Sequence, residues 1–511
     1  MKNLATKNLA EQFSQLPMLK VLVAIIVGIL FAEHCSLSLW GLVLGILFLL
    51  AGAWWWRKRN LADIYICVAT ILLAMLSVEI QRTESPGEEP CTYEIVVDAL
   101  NTQTKGRTYG EGRVVGYYHD NRLMPCEYPV RIAIDSTINI DAGERITAAC
   151  RINSFREHDE DNYARYMSRR GFVGQVWLSQ RNILAQEVVK QGFGRRLHDK
   201  ALERIARLGL TPEAESVAAA ITIGHRLNLT PQQREEYRRS GGAHLLAVSG
   251  LHVGFVVVIL GILLLPLLLL QHGQLLRNVL TIIFIWVYAA IVGFSPSIVR
   301  AATMFSFLQL STTLVSHTRT LNSLSLAATI MLLWNPFMIH DAGFLLSFLA
   351  VAGIVEWGTP LLRHILYTSP EASTNFLANI VSRCGRYILN WFLASVIVSL
   401  TASAATMPLV AWLFGLTSLW GIVAGPLMVF LCGIAVGATL LWALFPIDFL
   451  SSLFGFVIEH SAAAMNAMAK WCAERPSLIF EQGINGIECG LIYVFYVLLT
   501  LYIWAHRKSR P

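Results

Sequence analysis

Between Gly241 and Gly254 the chain reads Gly-Gly-Ala-His-Leu-Leu-Ala-Val-Ser-Gly-Leu-His-Val-Gly, then runs apolar to Leu270. His244, Ser249 and His252 are the groups here that can donate, accept or move protons, and they stand at the entrance to, or inside, a hydrophobic helix. Polar groups are costly in lipid, so such a cluster marks a functional site by default. Gly250 and Gly254 have the small-xxx-small spacing that lets a second helix come close. Ser297 with Arg300, His340 with Asp341, and Ser347 add polar groups at or within later apolar runs. A path for an anion needs hydrogen-bond donors and some positive charge, held weakly enough to release the ion.

Other chemistries compete for the same residues. Ser249 and His252 are three apart and share a helix face. A serine nucleophile also needs an aligned base and an oxyanion hole. Same-helix pairs at this spacing seldom align, and no Gly-x-Ser-x-Gly occurs, so an intramembrane Ser/His hydrolase is the weaker reading. A secondary transporter of a small anion would suit Arg300 and interrupted helices, but no internal repeat is visible. His244, His252, His340 and Asp341 lie on separate segments, and neither a metal nor another cofactor is expected. The plainest alternative is packing, since Ser and His hydrogen-bond across helices to hold them together. Ser249 and Ser347 suit packing and lining equally. Arg300 and His252 point to function, because a charge in lipid costs at least about 2.5 kcal/mol.

The elements that must position these groups are membrane helices. The 511 residues are 55% hydrophobic and 14% charged, against about a quarter charged in soluble proteins. The chain therefore reads as a polytopic α-helical membrane protein with an inserted, external, β-rich domain. Apolar runs at 19–32, 37–56 and 61–78 give about three amino-terminal helices within 1–80. The basic residues Arg57 to Arg59, with Lys2 and Lys7, place their side in the cytoplasm and the following domain outside. That domain, 81–193, alternates apolar and polar residues in five short runs at 93–99, 112–118, 130–135, 144–153 and 173–178, which suits a small OB-like barrel. Cys91, Cys126 and Cys150 lie in it and leave room for one disulfide with one thiol over; the residues do not choose the pair.

Residues 194–240 read as amphipathic or interfacial helices, the first, 194–210, basic and lying along the membrane surface. Thr230 and Pro231 start a helix as N-cap and first residue. Residues 241–511 then supply about seven to nine further spans. Pro266, Pro408 and Pro426 interrupt theirs, and broken helices line cavities. Alternation puts the basic loop 363–386 and the tail Arg507-Lys508-Arg510 inside. His244, Arg300, His340 and Asp341 then share the outer mouth, with His252 about 12 Å deeper than His244 if one helix carries both. Asp341 would repel phosphate unless paired, with Arg300, His244 or His340 as candidate partners.

Tyr163, Arg165, Tyr166, Arg169 and Arg170 interleave aromatic and basic residues after Glu157, Asp159, Glu160 and Asp161. Such a segment can pair phosphates and stack bases. By residue types alone, an amphipathic helix with a solvated arginine face is the better reading.

His244 to Gly254 resembles the signature of the ComEC family, inner-membrane channel proteins for DNA uptake in competent bacteria. Gly293-Phe294-Ser295-Pro296-Ser297 with Arg300-Ala301, Asp341 to Phe348, and Tyr163 to Gly171 resemble further family segments in the same order. The resemblance implies a channel importing single-stranded DNA, with the external domain receiving the strand. That moves Tyr163, Arg165, Tyr166, Arg169 and Arg170 to DNA-binding candidates. It also implies an outer-face DNA receptor and a cytoplasmic helicase-like ATPase motor, since no P-loop occurs here. Many members carry a metallo-β-lactamase-like domain. No His-x-His-x-Asp-His motif occurs, so the expectation is a non-enzyme served by a separate nuclease, or a substrate already single-stranded. Ala424-Gly425-Pro426 also departs from the family, which usually has an Asn a few residues before the proline.

Overall fold

The computed structural model describes all residues except 1–11, 13, 36–37, 56–61, 83–89, 105, 120–121, 136–137, 139, 156–161, 189–191, 315–319, 366–375 and 507–511. Lys2, Lys7, Arg57 to Arg59, Arg507, Lys508 and Arg510, on which the orientation rests, lie outside the described residues, as do Glu157, Asp159, Glu160 and Asp161.

Three helices lead the chain: α1 (Pro17–Ala32), α2 (Leu39–Trp55) and α3 (Ala62–Gln81). The polar domain follows, with β1 (Cys91–Thr104), β2 (Arg107–His119), β3 (Arg122–Asp135), β4 (Glu144–Cys150), β5 (Ile152–Ser154), helix α4 (Asn162–Arg169), β6 (Gly174–Leu178) and β7 (Ile183–Val188). Its strands form one mixed sheet in the order β5-β6-β3-β2-β1-β4-β7, with β3 and β6 parallel. The alternation of the sequence becomes the alternation of burial: Val130, Ile132 and Ile134 face a core with Ile95, Val97, Ile146 and Val176. The register sets Cys91 directly opposite Cys150, and Cys126 lies within electrostatic reach of Cys91. All three are free thiols in this structure. Burial first, then Cys91, pushes the Cys150 thiol up to about 12 and the Cys126 thiol up to about 11.

Next come α5 (Phe193–Ala206), α6 (Pro212–Ile223) and α7 (Pro231–Arg239). The helical bundle continues with α8 (Gly250–Leu263), α9 (Gly273–Val292), α10 (Pro296–Leu314), α11 (Thr320–Trp334), α12 (Ala342–Ile365), α13 (Phe376–Phe414), α14 (Gly425–Leu444), α15 (Ser451–Ala473) and α16 (Gly486–His506). Among the described residues, six segments are long and apolar enough to cross a bilayer, in α3, α9, α12, α13, α14 and α16. The chain is a multi-pass helical membrane protein.

Two of the three prolines stand at breaks in their apolar runs, as expected, and Pro408 does not. Pro266 lies in a 3-10 turn, Leu265–Leu269, that ends the α8 segment. Pro408 stays inside the continuous helix α13, and Pro426 opens α14, where its missing N–H costs nothing.

Helix α5, in the stretch read as basic and interfacial, packs on the bundle through His198 and Ile205. His198 Nδ1 bonds the Ile291 carbonyl near the end of α9, while Trp442 Nε1 donates to the Arg204 carbonyl near the end of α14. Thr211 then caps onto Glu459 of α15, and Tyr288 of α9 donates to the Thr222 carbonyl. Helices α5 and α6 therefore form a hairpin packed along the bundle. Nine of the 12 residues of α6 are buried. Its Ala214, Val217, Ala220 and Ile221 pack on Cys432, Ala435 and Val436 of α14 and on Ala462, Met465 and Ala469 of α15, where the alanines let backbones approach. Gly224, at φ 79°, turns the chain out of α6, and Thr230 and Gln233 form a capping box that starts α7.

Candidate functional site

Only Gly250 onward of the motif is helical. Ser249 is extended, as an N-cap must be, and its backbone N–H donates to His252 Nδ1 at 3.0 Å. Ser249 Oγ stands 3.0 Å from the same nitrogen. This is a capping box with histidine in place of the usual glutamate or glutamine. Since Nδ1 accepts from a backbone N–H, the ring proton belongs on Nε2, which faces Cys432 Sγ at 3.4 Å. His252 is fully buried. Ser249 and His252 come together, as residues three apart can. Yet the ring is used to start a helix, and its second nitrogen meets a thiol rather than the carboxylate that would orient a base.

His244 sits in the turns before the helix, its Nδ1 3.1 Å from the Gly241 carbonyl. The helical estimate of its height above His252 therefore does not apply. Gly241 has φ 75°, and a Cβ there would meet Gly421 N at 2.8 Å, so this turn admits only glycine.

Arg300 of α10 reaches the other side of the motif. A Cβ on Gly250 would lie 2.5 Å from its Nη2, so the absent side chain makes room for the guanidinium. Gly254 differs: a Cβ there would meet Phe305 at 3.8 Å, an ordinary contact. Arg300 is 5% exposed, its guanidinium carbon lies 5.6 Å from the centre of the Phe348 ring, and its Nε and Nη1 have no hydrogen-bond partner. Ser347, one residue before Phe348, and Ser297, in the first turn of α10, are half-buried.

Asp341 is paired, but with none of its expected partners. It caps α12 through the Phe344 N–H at 2.9 Å and binds Arg170 of the β domain at 2.8 Å. His340 pairs with Glu33 at the end of α1. Burial raises the Glu33 carboxyl, but the His340 hydrogen bond and charge, followed by Arg169, bring it below its ordinary value. With both residues engaged, His340 and Asp341 do not join His244 and His252. Among the described residues no group of His, Cys, Asp and Glu could hold a metal ion.

The DNA-binding candidates divide. Tyr163, Arg165 and Arg169 are exposed on α4, and Tyr166 packs beside Ala164, Met167, Phe155 and Phe172. Arg170 is spent on Asp341 and lies over the Tyr166 and Phe172 rings at 5.7 and 5.4 Å. It anchors the β domain to the bundle.

Sequence reasoning passes over Arg226 and Arg234. Arg234 Nη2 donates to the Arg226 carbonyl at 2.8 Å, and Arg226 lies within electrostatic reach of His252. A signal is present: no acidic residue occurs between Glu215 and Glu235, although both arginines lie there.

Residues 221–508 match the family model described as "Competence protein". The chain belongs to the competence protein family. That bears out the ComEC-family resemblance of the motif, and the match takes in Arg226, the motif, Arg300 and Asp341 but not the β domain. ComE operon protein 3 of Bacillus subtilis (strain 168) is 33% identical over 140 residues, 27% of this chain and 18% of that protein. Recombination protein 2 of Haemophilus influenzae is 24% identical over 195 residues, 37% of this chain and 25% of that one. An uncharacterized protein of Aquifex aeolicus is 28% identical over 163 residues, 32% of this chain and 38% of that one. The matched stretches thus span well under half of each relative. No solved structure matches.

Proposed function

We propose that this protein is a channel of the bacterial cytoplasmic membrane that takes up single-stranded DNA during natural transformation. The observation that carries this reading is Arg300. A guanidinium buried at the first turn of the motif helix, with two nitrogens unpartnered, leaves an uncompensated charge in a membrane bundle. Losing one partner of a buried polar group costs about 1–3 kcal/mol, and more for a charge. A polyanion threading past would supply the missing countercharge one phosphate at a time and release it as the next arrives.

The β domain is read as the external receiver. Its OB-like character is supported by the segment Glu144–Ser154, which pairs with β1 through β4 and with β6 through β5. Gly110 and Gly112 of β2, where a Cβ would strike the Ala99 and Val96 carbonyls at 2.4 and 2.5 Å, suit a tightly coiled strand. Arg170 to Asp341 and Gly171 against Phe337 seat this domain at the end of the bundle where the motif helix begins. In this orientation the carboxy terminus is cytoplasmic. An outer-face receptor, a separate nuclease and a cytoplasmic ATPase motor complete the route.

The test is DNase-protected uptake of labelled DNA in a strain lacking this protein, complemented with the wild type or with Arg300→Gln. Wild type restores uptake, and Arg300→Gln restores less than about a tenth, the effect of 1.4 kcal/mol. Undiminished uptake in the uncomplemented strain would overturn the proposal.

A further inference from the structure

The end of the bundle away from the motif holds a pocket that the channel reading leaves unused. Helix α14 starts beside the motif, with Met428 against Gly242 and Cys432 3.4 Å from His252, and its 20 residues end at Leu444. At 1.5 Å per residue that end lies about 30 Å further on. An open pocket of about 400 Å³ is found there, between the α5–α6 turn and the start of α15. Pockets that hold small ligands begin at roughly 300 Å³.

Contacts between distant parts of the chain fix its walls. Trp442 Nε1 donates to the Arg204 carbonyl at 2.8 Å, Arg204 reaches the Ala443 carbonyl, and Gly209, at φ 62°, turns the chain back toward α6. The Glu459 carboxylate accepts from the Thr211 N–H at 3.0 Å and from its hydroxyl at 2.7 Å, one bond to each oxygen. His460 Nδ1 stands 2.8 Å from the Phe456 carbonyl and donates to it, which leaves Nε2 open.

The lining carries both signs of charge. Arg207 lines the pocket with an exposed side chain and has no ion pair among the described residues, although Glu203 lies one turn before it. Glu459, half-buried in the same lining, keeps lone pairs for a further donor. A cation and a carboxylate that share a pocket without pairing match a ligand that bears both charges. A purely anionic ligand fits worse, because Glu203 and Asp448 flank the pocket as well. Around the rim Phe449, Leu453 and Phe456 are 82%, 57% and 61% exposed, next to the end of a membrane span.

We infer that this pocket binds the headgroup of a zwitterionic phospholipid with a primary amine, of the phosphatidylethanolamine type. Its phosphate takes Arg207, whose planar fork matches phosphate oxygens in pairs. Its ammonium donates to Glu459, and its acyl chains lie on Phe449, Leu453 and Phe456. A primary ammonium carries three N–H donors and a trimethylated one carries none, so ethanolamine is preferred over choline. The site depends on the chain being a membrane protein and not on what it transports. Only its assignment to the cytoplasmic leaflet rests on the orientation proposed above.

The test is native mass spectrometry of the full chain after exchange into equimolar phosphatidylethanolamine, phosphatidylcholine and phosphatidylglycerol, with soluble phosphoethanolamine as a separate competitor. The wild type should retain phosphatidylethanolamine several-fold over either other lipid. Arg207→Gln should lose that excess and Arg207→Lys should recover part of it. Glu459→Gln should bring phosphatidylethanolamine down to the phosphatidylcholine level. Arg207 is exposed, so its variants keep the test decisive even where Glu459→Gln loosens the Thr211 contact. Phosphoethanolamine at the concentration of the lipid should displace none of it. Equal retention of phosphatidylethanolamine and phosphatidylcholine by the wild type, or an excess unchanged in Arg207→Gln, would overturn the site. Preference for phosphatidylglycerol would overturn the zwitterionic headgroup, and displacement by equal phosphoethanolamine would overturn a lipid as its occupant.

Discussion

Gly250→Ala is the sharpest perturbation of the motif. The added Cβ would sit 2.5 Å from Arg300 Nη2, and ordinary contact begins at 3.4 Å. The guanidinium must therefore retreat by about 0.9 Å, with the Phe348 ring 5.6 Å from its carbon and Ala301 Cβ already 3.4 Å from the new methyl. Overpacking of this kind costs about 1–3 kcal/mol. If that cost falls on the geometry that meets the strand, transformation drops about 10-fold for each 1.4 kcal/mol. Gly254→Ala is the built-in control, because its Cβ would meet Phe305 at an ordinary 3.8 Å. The assay is transformation frequency, normalised to membrane abundance on an immunoblot. The account expects Gly250→Ala to be at least several-fold impaired at normal abundance and Gly254→Ala to match wild type. Equal behaviour of the two alanines, or loss of Gly250→Ala from the membrane, would refute the argument that Gly250 exists to seat Arg300.

Three other outcomes follow from the same geometry. Ser249→Ala removes the Oγ contact to His252 but keeps the backbone bond to Nδ1, so import should fall only a few-fold, as for a lost cap of about 1 kcal/mol; complete loss, with hydrolysis by the wild type, would favour a Ser/His enzyme instead. Arg170→Gln and Asp341→Asn should be non-additive by about 0.5–3 kcal/mol in the unfolding of the full chain, since they form one half-buried pair at 2.8 Å; strict additivity would show that the pair does not fasten the β domain. With its thiols reduced, the β domain should weaken in base. The folded values of Cys150 and Cys126 are raised, to about 12 and about 11, so the unfolded chain ionises first. The stabilisation is complete below the ordinary thiol pKa of about 8.5 and is lost as pH climbs toward 11–12. Iodoacetamide mapping by mass spectrometry checks this, expecting exposed Cys35 to react at pH 8 while Cys150 and Cys126 stay unmodified.

Much of the architecture was legible because hydropathy and period report burial directly. The apolar runs appear as helices and the alternating runs as strands, although 144–153 divides into β4 and β5 and the runs to 270 and 419–445 are broken. What stayed hidden depends on partners far along the chain. The basic face of 193–206 reads as interfacial by composition, yet Arg204 reaches the Ala443 carbonyl and Trp442 the Arg204 carbonyl, contacts that no local pattern announces. Asp341 finds Arg170 across two domains. His252 was legible as special but not as a capping residue, because that signature is normally sought as glutamate or glutamine. β7, Ile-Leu-Ala-Gln-Glu-Val, alternates too weakly to stand out.

The central claim is that a single DNA strand passes the motif helix inside the bundle. The most direct measurement stalls a labelled oligonucleotide with streptavidin on its trailing end. A photo-crosslinking residue then stands at Ser297, at Ser347, or, as a control, at Phe495 of α16, which is 60% exposed on the outside of the bundle. The account predicts crosslinks at 297 and 347 that require the stalled strand, and none at 495. Crosslinks as strong at 495, or none at 297 and 347 while the strand is engaged, would contradict it.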